Sequence, residues 1–311
     1  MTGGDNPILV SVVTVSYNPR PDLLSWALDS LEAQTFPKSQ FEVVVVDNNS
    51  KPPLDESRLR EGRSLQLRVV REPRQGNTFA RRTGIREARG DVLVFVDDDN
   101  HIDPDYLEQA LRIARAEPAV GAFGGKARAV LEAPLPAWKE RLLPFFGVRD
   151  FGLEPITSRE TCWGEWEPIG AGMVFRRDVG EEYVRWVTFD GTTSLLGRKA
   201  ARGLRSGEDT LIAQAAYRLG YACSYQPALT MSHCMKRTRM RTRVLARTME
   251  GHGRSFVVLQ QILGWPVPRP SLVAAAVELC RKFRQHVRKL GLRAGAVKWF
   301  WDLGYFLQAR S

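Results

Sequence analysis

Three apolar runs, each ended by polar residues, constrain this chain more than any other feature: "ILVSVVTVSYN" from residue 8, "FEVVVVDNNS" from residue 41 and "DVLVFVDDD" from residue 91. Their apolar residues follow one another with little in/out alternation, as in strands covered on both faces. A shorter run, "LQLRVVREP", reads as a further strand. The segments "PDLLSWALDSLEAQ", "GNTFARRTGIREARG" and "PDYLEQALRIARAEP" place apolar residues at helical spacing. Strands alternating with helices predict an α/β fold, a parallel sheet with crossover helices. Such sheets bind ligands beyond the carboxyl ends of their strands. Polar residues gather there: Ser16, Tyr17 and Asn18; Asp47 and Asn48; Asp97, Asp98 and Asp99.

Beyond residue 120 the pattern loosens. "VGAFGGKARAV" reads as a strand leaving the first half, and residues 132–168 as a variable loop region. "PIGAGMVFRRD" reads as a glycine-punctuated strand, "GEDTLIAQAAYRLGY" as a helix led by Glu208 and Asp209, and "ACSYQPALTMSHCM" as a last strand and turn carrying His233. The stretch "KRTRMRTRVLARTMEGHGR" is strongly basic, and residues 271–308 read as two helices with Arg and Lys among apolar residues. The expected organisation is one domain over 1–235, its halves 1–120 and 121–235, with a basic helical extension over 236–311.

Composition narrows the classes of partner. The chain of 311 residues is 43% hydrophobic and 26% charged, as in soluble globular proteins. No apolar run reaches the ~18 residues of a membrane span. The first run lacks basic residues before it and an A-x-A-type site after it, so it reads as a strand and not a signal peptide. The four cysteines, Cys162, Cys223, Cys234 and Cys280, show no C-x-x-C or zinc-like spacing, which points to a reduced, cytoplasmic protein. A net charge of +10 admits nucleic acid, an acidic membrane face or a phosphorylated substrate as partner.

Asp97, Asp98 and Asp99 close a run that reads as buried, where like charges repel and resist desolvation. Hard divalent cations take carboxylate oxygens and substrate phosphates, so a Mg²⁺ or Mn²⁺ site is one way to compensate them. On a strand of period two, Asp97 and Asp99 point one way and Asp98 the other. An Asx-rich turn capping the next helix explains the same residues without a ligand.

In order and spacing, "VSVVTVSYNPRPDLLSWALDSLEAQTF", "FEVVVVDNNS" and "GNTFARRTGIREARGDVLVFVDDD" resemble the family 2 glycosyltransferases of the GT-A fold. The later "GAGMVFRR" and "SGED" resemble that family's acceptor-side segment and x-E-D motif. The resemblance implies a Rossmann-like mixed, mainly parallel sheet flanked by helices, with a C-terminal helical appendage. It implies an inverting, metal-dependent transfer from a nucleotide sugar, UDP favoured, to a hydroxyl acceptor: a glycan, lipid-linked or natural-product molecule. By the same resemblance, Val15, Ser16, Tyr17 and Asn18 hold the base, Asp47 accepts a hydrogen bond from it, and Arg81 lies near base and phosphate. Arg82 stands where the family's pattern has Asn, which leaves open which arginine faces the ligand. Asp97 and Asp98 fall near ribose and metal, Asp99 and His233 are the metal ligands, and Asp209, with Glu208 second, is the general base.

Processive members carry Q-x-x-R-W after the x-E-D segment; "SHCMKRTRMRTR" lacks it, so a single-addition enzyme is expected. Trp163 and Trp166 in "CWGEWEP", with Gly170, Ala171 and Gly172, are the acceptor-side candidates, although core packing explains the tryptophans equally well. A sugar nucleotidyltransferase is disfavoured because "SYNPRPD" lacks a glycine-rich phosphate loop. Nucleic-acid binding through the basic stretch is a further alternative, and no nucleic-acid partner is expected. The aromatic-rich "AVKWFWDLGYFL" suits an interfacial helix at an anionic membrane, such as the inner face of the plasma membrane, or a helix packed on the domain or on a dimer partner.

Overall fold

The computed structural model describes residues 7–160, 165–187, 196 and 207–310. They fall into two compact units: one drawn from Met1–Arg128, Gly147–Thr188 and Asp209–His233, the other from Ala129–Phe146, Phe189–Glu208 and Cys234–Ser311. The last change of unit, after His233, lies beside the boundary read at 235. Residues 129–146, by contrast, join the second unit.

The first unit opens with β1 (Val10–Ser16), β2 (Phe41–Asp47), β3 (Leu67–Arg71) and β4 (Val92–Phe95), parallel and in the order β3-β2-β1-β4. The unbroken valine runs have the predicted cause: Val10, Val12 and Val43 to Val46 are all 0% exposed. Crossovers carry α1 (Pro21–Glu32), α2 (Glu56–Arg60) and α3 (Asn77–Glu87). Pro21 pre-sets the backbone at the start of α1, which buries Leu24, Leu28 and Leu31 at helical spacing. Helix α3 lies so close to the sheet that a Cβ on Gly84 would sit 2.2 Å from Cγ1 of Val13.

Beyond β4 come β5 (Asn100–Ile102), α4 (Tyr106–Ala116), β6 (Val120–Leu131), α5 (Ala137–Glu140), β7 (Ile156–Ser158), β8 (Val174–Arg176), α6 (Arg177–Trp186), α7 (Glu208–Arg218) and β9 (Ala222–Met235). The sheet continues β4-β8-β6-β9-β5, with β7 also on β9. Pairing here is antiparallel between β4 and β8, β6 and β8, β5 and β9, and β7 and β9, in contrast to the parallel first four strands. β8 begins only at Val174, so "PIGAG" is a turn and not strand; Gly172 there has φ +71°, a left-handed conformation open to glycine. β9 runs unbroken for 14 residues where a strand and a turn were expected. The region 132–168 holds α5 and β7 as well as loop, elements too short to leave a periodic signal.

The second unit contains α8 (Thr242–Ile262), α9 (Leu272–Leu290) and α10 (Leu292–Ala309), the last two filling the span read as two helices. Backbones meet at glycines: a Cβ on Gly253 would lie 1.9 Å from the Trp301 carbonyl oxygen, and one on Gly304 2.1 Å from that of Glu250. His286 of α9 hydrogen-bonds Asp302 of α10 at 2.7 Å, and the Trp299 indole donates to the Leu279 carbonyl at 2.9 Å. Among the described residues no helix is long and apolar enough to cross a membrane.

Candidate functional site

The acidic triplet is not strand. β4 ends at Phe95, and a tight turn follows in which the Asn100 N–H donates to the Asp97 carbonyl at 3.0 Å and the Asp97 N–H to Oδ1 of Asn100 at 3.2 Å. Strand alternation therefore does not govern these side chains, and Asp98 is not turned away. The Ser16 hydroxyl, at the end of β1, donates to Oδ2 of Asp98 at 2.7 Å. Arg81 of α3 donates from Nη2 to Oδ1 of Asp97 at 3.3 Å. His233 of β9 places Nε2 3.7 Å from Oδ1 of Asp99. Three separate elements thus bring polar partners to three adjacent carboxylates, which answers their mutual repulsion.

The register of β5 on β9 sets Asn100 opposite His233, which brings the imidazole to the triplet from more than a hundred residues away. Asp99 and His233 are only 8% and 5% exposed. Their oxygen and nitrogen suit a borderline cation such as Mn²⁺. Among the described residues no group of three His, Cys, Asp or Glu side chains is arranged to hold a metal.

Arg81 carries the geometry onward. It is 3% exposed, and its guanidinium stacks 4.7 Å above the Phe95 ring. A Cβ on Gly170 would lie 2.2 Å from Nη2 of Arg81, so a side chain here would have to displace the guanidinium. The Gly170 N–H in turn donates to Oδ2 of Asp209 at 2.9 Å, and Oδ1 of Asp209 accepts from the Thr210 N–H at 3.0 Å. Asp97, Arg81, Gly170 and Asp209 therefore form one continuous chain of contacts. Arg82 is half-buried, and burial, then the Arg86 and Arg74 charges, pull its pKa down. Glu208, the first residue of α7, is 5% exposed. Ala171 packs against the hydrophobic core, and the Gly172 carbonyl accepts from the Tyr106 hydroxyl. Trp166 is half-buried in a turn; Trp163 lies outside the described residues.

At the ends of β1 and β2, Tyr17 is 45% exposed and Val15 half-buried. Asn18, at φ +45°, donates its N–H to Oγ of Ser50 at 2.9 Å and accepts from the Lys51 N–H at 2.8 Å. The buried Asp47 carboxylate accepts the N–H groups of Ser50 and Leu54 at 2.8 and 3.2 Å. These bonds fix the two strand ends beside each other.

Residues 11–184 match the profile of glycosyl transferase family 2. The chain belongs to that family. Over 250 residues it is 27% identical to the succinoglycan biosynthesis protein ExoM of Rhizobium meliloti, covering 76% of this chain and 71% of that protein. Three other curated relatives match over only about a third of their own length. The S. aureus TarS 1-349 structure in complex with UDP-GlcNAc superposes with a TM-score of 0.51 at 16% identity, covering 95% of this chain and 92% of that one. The structure of GalNAc-T7 with UDP, GalNAc and Mn²⁺ gives 0.54 at 16%, covering 96% and 56%. Those likenesses establish the fold.

Within this family 2 chain, several charged groups beside the site escaped the sequence reading. Glu72 is 3% exposed; burial pushes its carboxyl up, but hydrogen bonds from Arg74 and Thr83 outweigh that and bring its pKa to about 2. Arg149 is 9% exposed and donates to the carbonyls of Glu167 and Glu165 at 2.6 and 2.9 Å. Burial lowers its pKa to about 10, with the Asp209 charge opposing, so it stays a cation at neutral pH. Glu167, which accepts from the Tyr217 hydroxyl at 2.8 Å, is raised by burial to about 7. None of the three sits in a run whose spacing marks it; their partners are set by the fold.

Proposed function

We propose that the chain is an inverting, non-processive glycosyltransferase that moves a sugar from a nucleoside diphosphate sugar, with UDP the favoured carrier, to a hydroxyl of a glycan, lipid-linked or natural-product acceptor. The observation that carries this reading is the contact chain from Asp97 through Arg81 and Gly170 to Asp209, which puts a carboxylate beside a cation–carboxylate centre within one unit. Family membership and neighbours solved with UDP, UDP-GlcNAc and Mn²⁺ support it.

In this reading the base stacks on the exposed Tyr17 ring, and Asp47 accepts a hydrogen bond from it. Asp97 and Asp98 face the ribose. Asp99 and His233 would hold Mg²⁺ or Mn²⁺, which supplies positive charge against the diphosphate. Arg81, locked by Phe95 and Gly170, adds a fixed cation to the phosphate side. Asp209, held at both oxygens by backbone N–H groups, takes the proton of the acceptor hydroxyl, with Glu208 the second candidate. The acceptor oxygen bonds to the anomeric carbon as the bond to the diphosphate oxygen breaks on the opposite face. Trp166 and the Gly170–Gly172 turn flank the acceptor.

A thermal-shift panel of nucleotide sugars with Mn²⁺ tests this. A ligand at a hundred times its Kd stabilises by about 2.7 kcal/mol, a shift of several degrees. UDP-sugars should give the largest shifts; a panel in which no nucleotide sugar raises the melting temperature contradicts the proposal.

A further inference from the structure

The positive charge of this chain is not spread over it. From Cys234 onward the sequence holds 16 Lys and Arg against 3 Asp and Glu, while the preceding residues hold 29 against 32. The segment from Cys234 onward thus carries +13, and the remainder is slightly acidic at −3. Within those helices, exposed apolar residues also collect. On α9, Leu272, Val273 and Val277 are 70%, 75% and 64% exposed.

The two features share one stripe. Val273, Val277, Arg281, Arg284 and Arg288 follow at spacings of three and four, so they lie along one face of α9, and all five are exposed. The opposite face is committed to packing. Phe283 meets Trp299 edge-on at 6.2 Å, and His286 bonds Asp302. On α10, Trp301 and Tyr305 stack at 5.9 Å and both lie near Phe256 of α8. Those aromatic rings are occupied inside the second unit, so the free amphipathic face belongs to α9.

We infer that the exposed face of α9 docks on an anionic lipid surface, its first turns entering the bilayer interface and its arginines meeting the headgroups. The rise from Val277 to Arg284 is about 10 Å, comparable with the ~5–8 Å polar layer on each side of a bilayer. Arg281 is paired with Glu278 at 2.5 Å, whereas Arg284 and Arg288 make no ion pair among the described residues and face solvent. A nucleic-acid backbone would satisfy the arginines but gives no reason for two valines to stay exposed beside them. Anionic lipid satisfies both.

Co-sedimentation of the full chain with phosphatidylcholine vesicles, with and without a quarter phosphatidylserine, tests this. Binding should require the anionic lipid and weaken with salt. Arg284→Gln with Arg288→Gln should lower the partition coefficient roughly 30-fold. Val273→Asp with Val277→Asp should lower it at least ~10-fold, with the nucleotide thermal shift unchanged in both. If the valine pair lowers the melting temperature, the solvent-facing arginine pair decides alone. Equal binding to neutral vesicles, parental binding by the variants, a dimer lost on substitution in place of vesicle binding, or displacement from vesicles by random duplex DNA would each overturn the inference.

Discussion

The two units treat charge in opposite ways. In the first, buried charged side chains each meet a polar partner: Arg81 with Asp97, Asp99 with His233, Glu72 with Arg74. In the second, the interior is aromatic and glycine-tight, while most of the sixteen basic residues from Cys234 onward lie at or near the surface. A buried charge must be bonded, so its position is fixed to a fraction of an ångström, which suits chemistry. Exposed like charges need no fixed geometry and act through their summed field, which suits docking.

Removing the proposed base gives the largest effect and bears on the first unit alone. Asp209→Asn should cut sugar transfer about 10³-fold while leaving donor affinity within about threefold, measured by product formation and by calorimetry. Normal transfer by that variant would exclude Asp209 as the base. Gly253→Leu attacks the second unit by forcing a side chain onto the Trp301 carbonyl, and should cost about 3 kcal/mol or more in chemical denaturation. Donor binding retained in that variant would sharpen the division of labour; donor binding lost with it would break it.

Next in size is a pH effect. The Glu167 carboxyl is raised by burial from 4.5 to about 7, so the folded protein holds a proton that the unfolded chain releases. Its contribution to stability is complete below pH 4.5 and is lost as pH rises through 7. Glu167→Gln cannot ionise, so the fall in stability between pH 5 and 8 should flatten by about 2 kcal/mol, read from denaturation midpoints. Gly170→Ala should be smallest: the added Cβ displaces the Arg81 guanidinium and weakens donor binding about tenfold, with a smaller change in melting temperature.

The legible parts of this molecule are those specified locally. β1, β2 and β4 show as apolar runs because both their faces are buried, and the C-terminal helices because their spacing is regular over many residues. β5, with three residues, and α6 left no signal in the reading. The triplet marked the site, but its geometry came from elsewhere: the turn closed by Asn100, and partners from β1, α3 and β9. Arg149 and Glu167 acquire meaning only when folding brings Tyr217 and Asp209 to them. Charge segregation was countable from the start, but which helix face stayed free depended on α8, α9 and α10 packing together.

The central claim is that the acidic turn is half of a metal–diphosphate site. Calorimetric titration of UDP into the full chain with Mn²⁺, with EDTA, and into Asp99→Ala with Mn²⁺ tests it most directly. The account predicts binding in the first case and a loss of at least about 100-fold in affinity in the other two. UDP affinity that is the same in all three would contradict it.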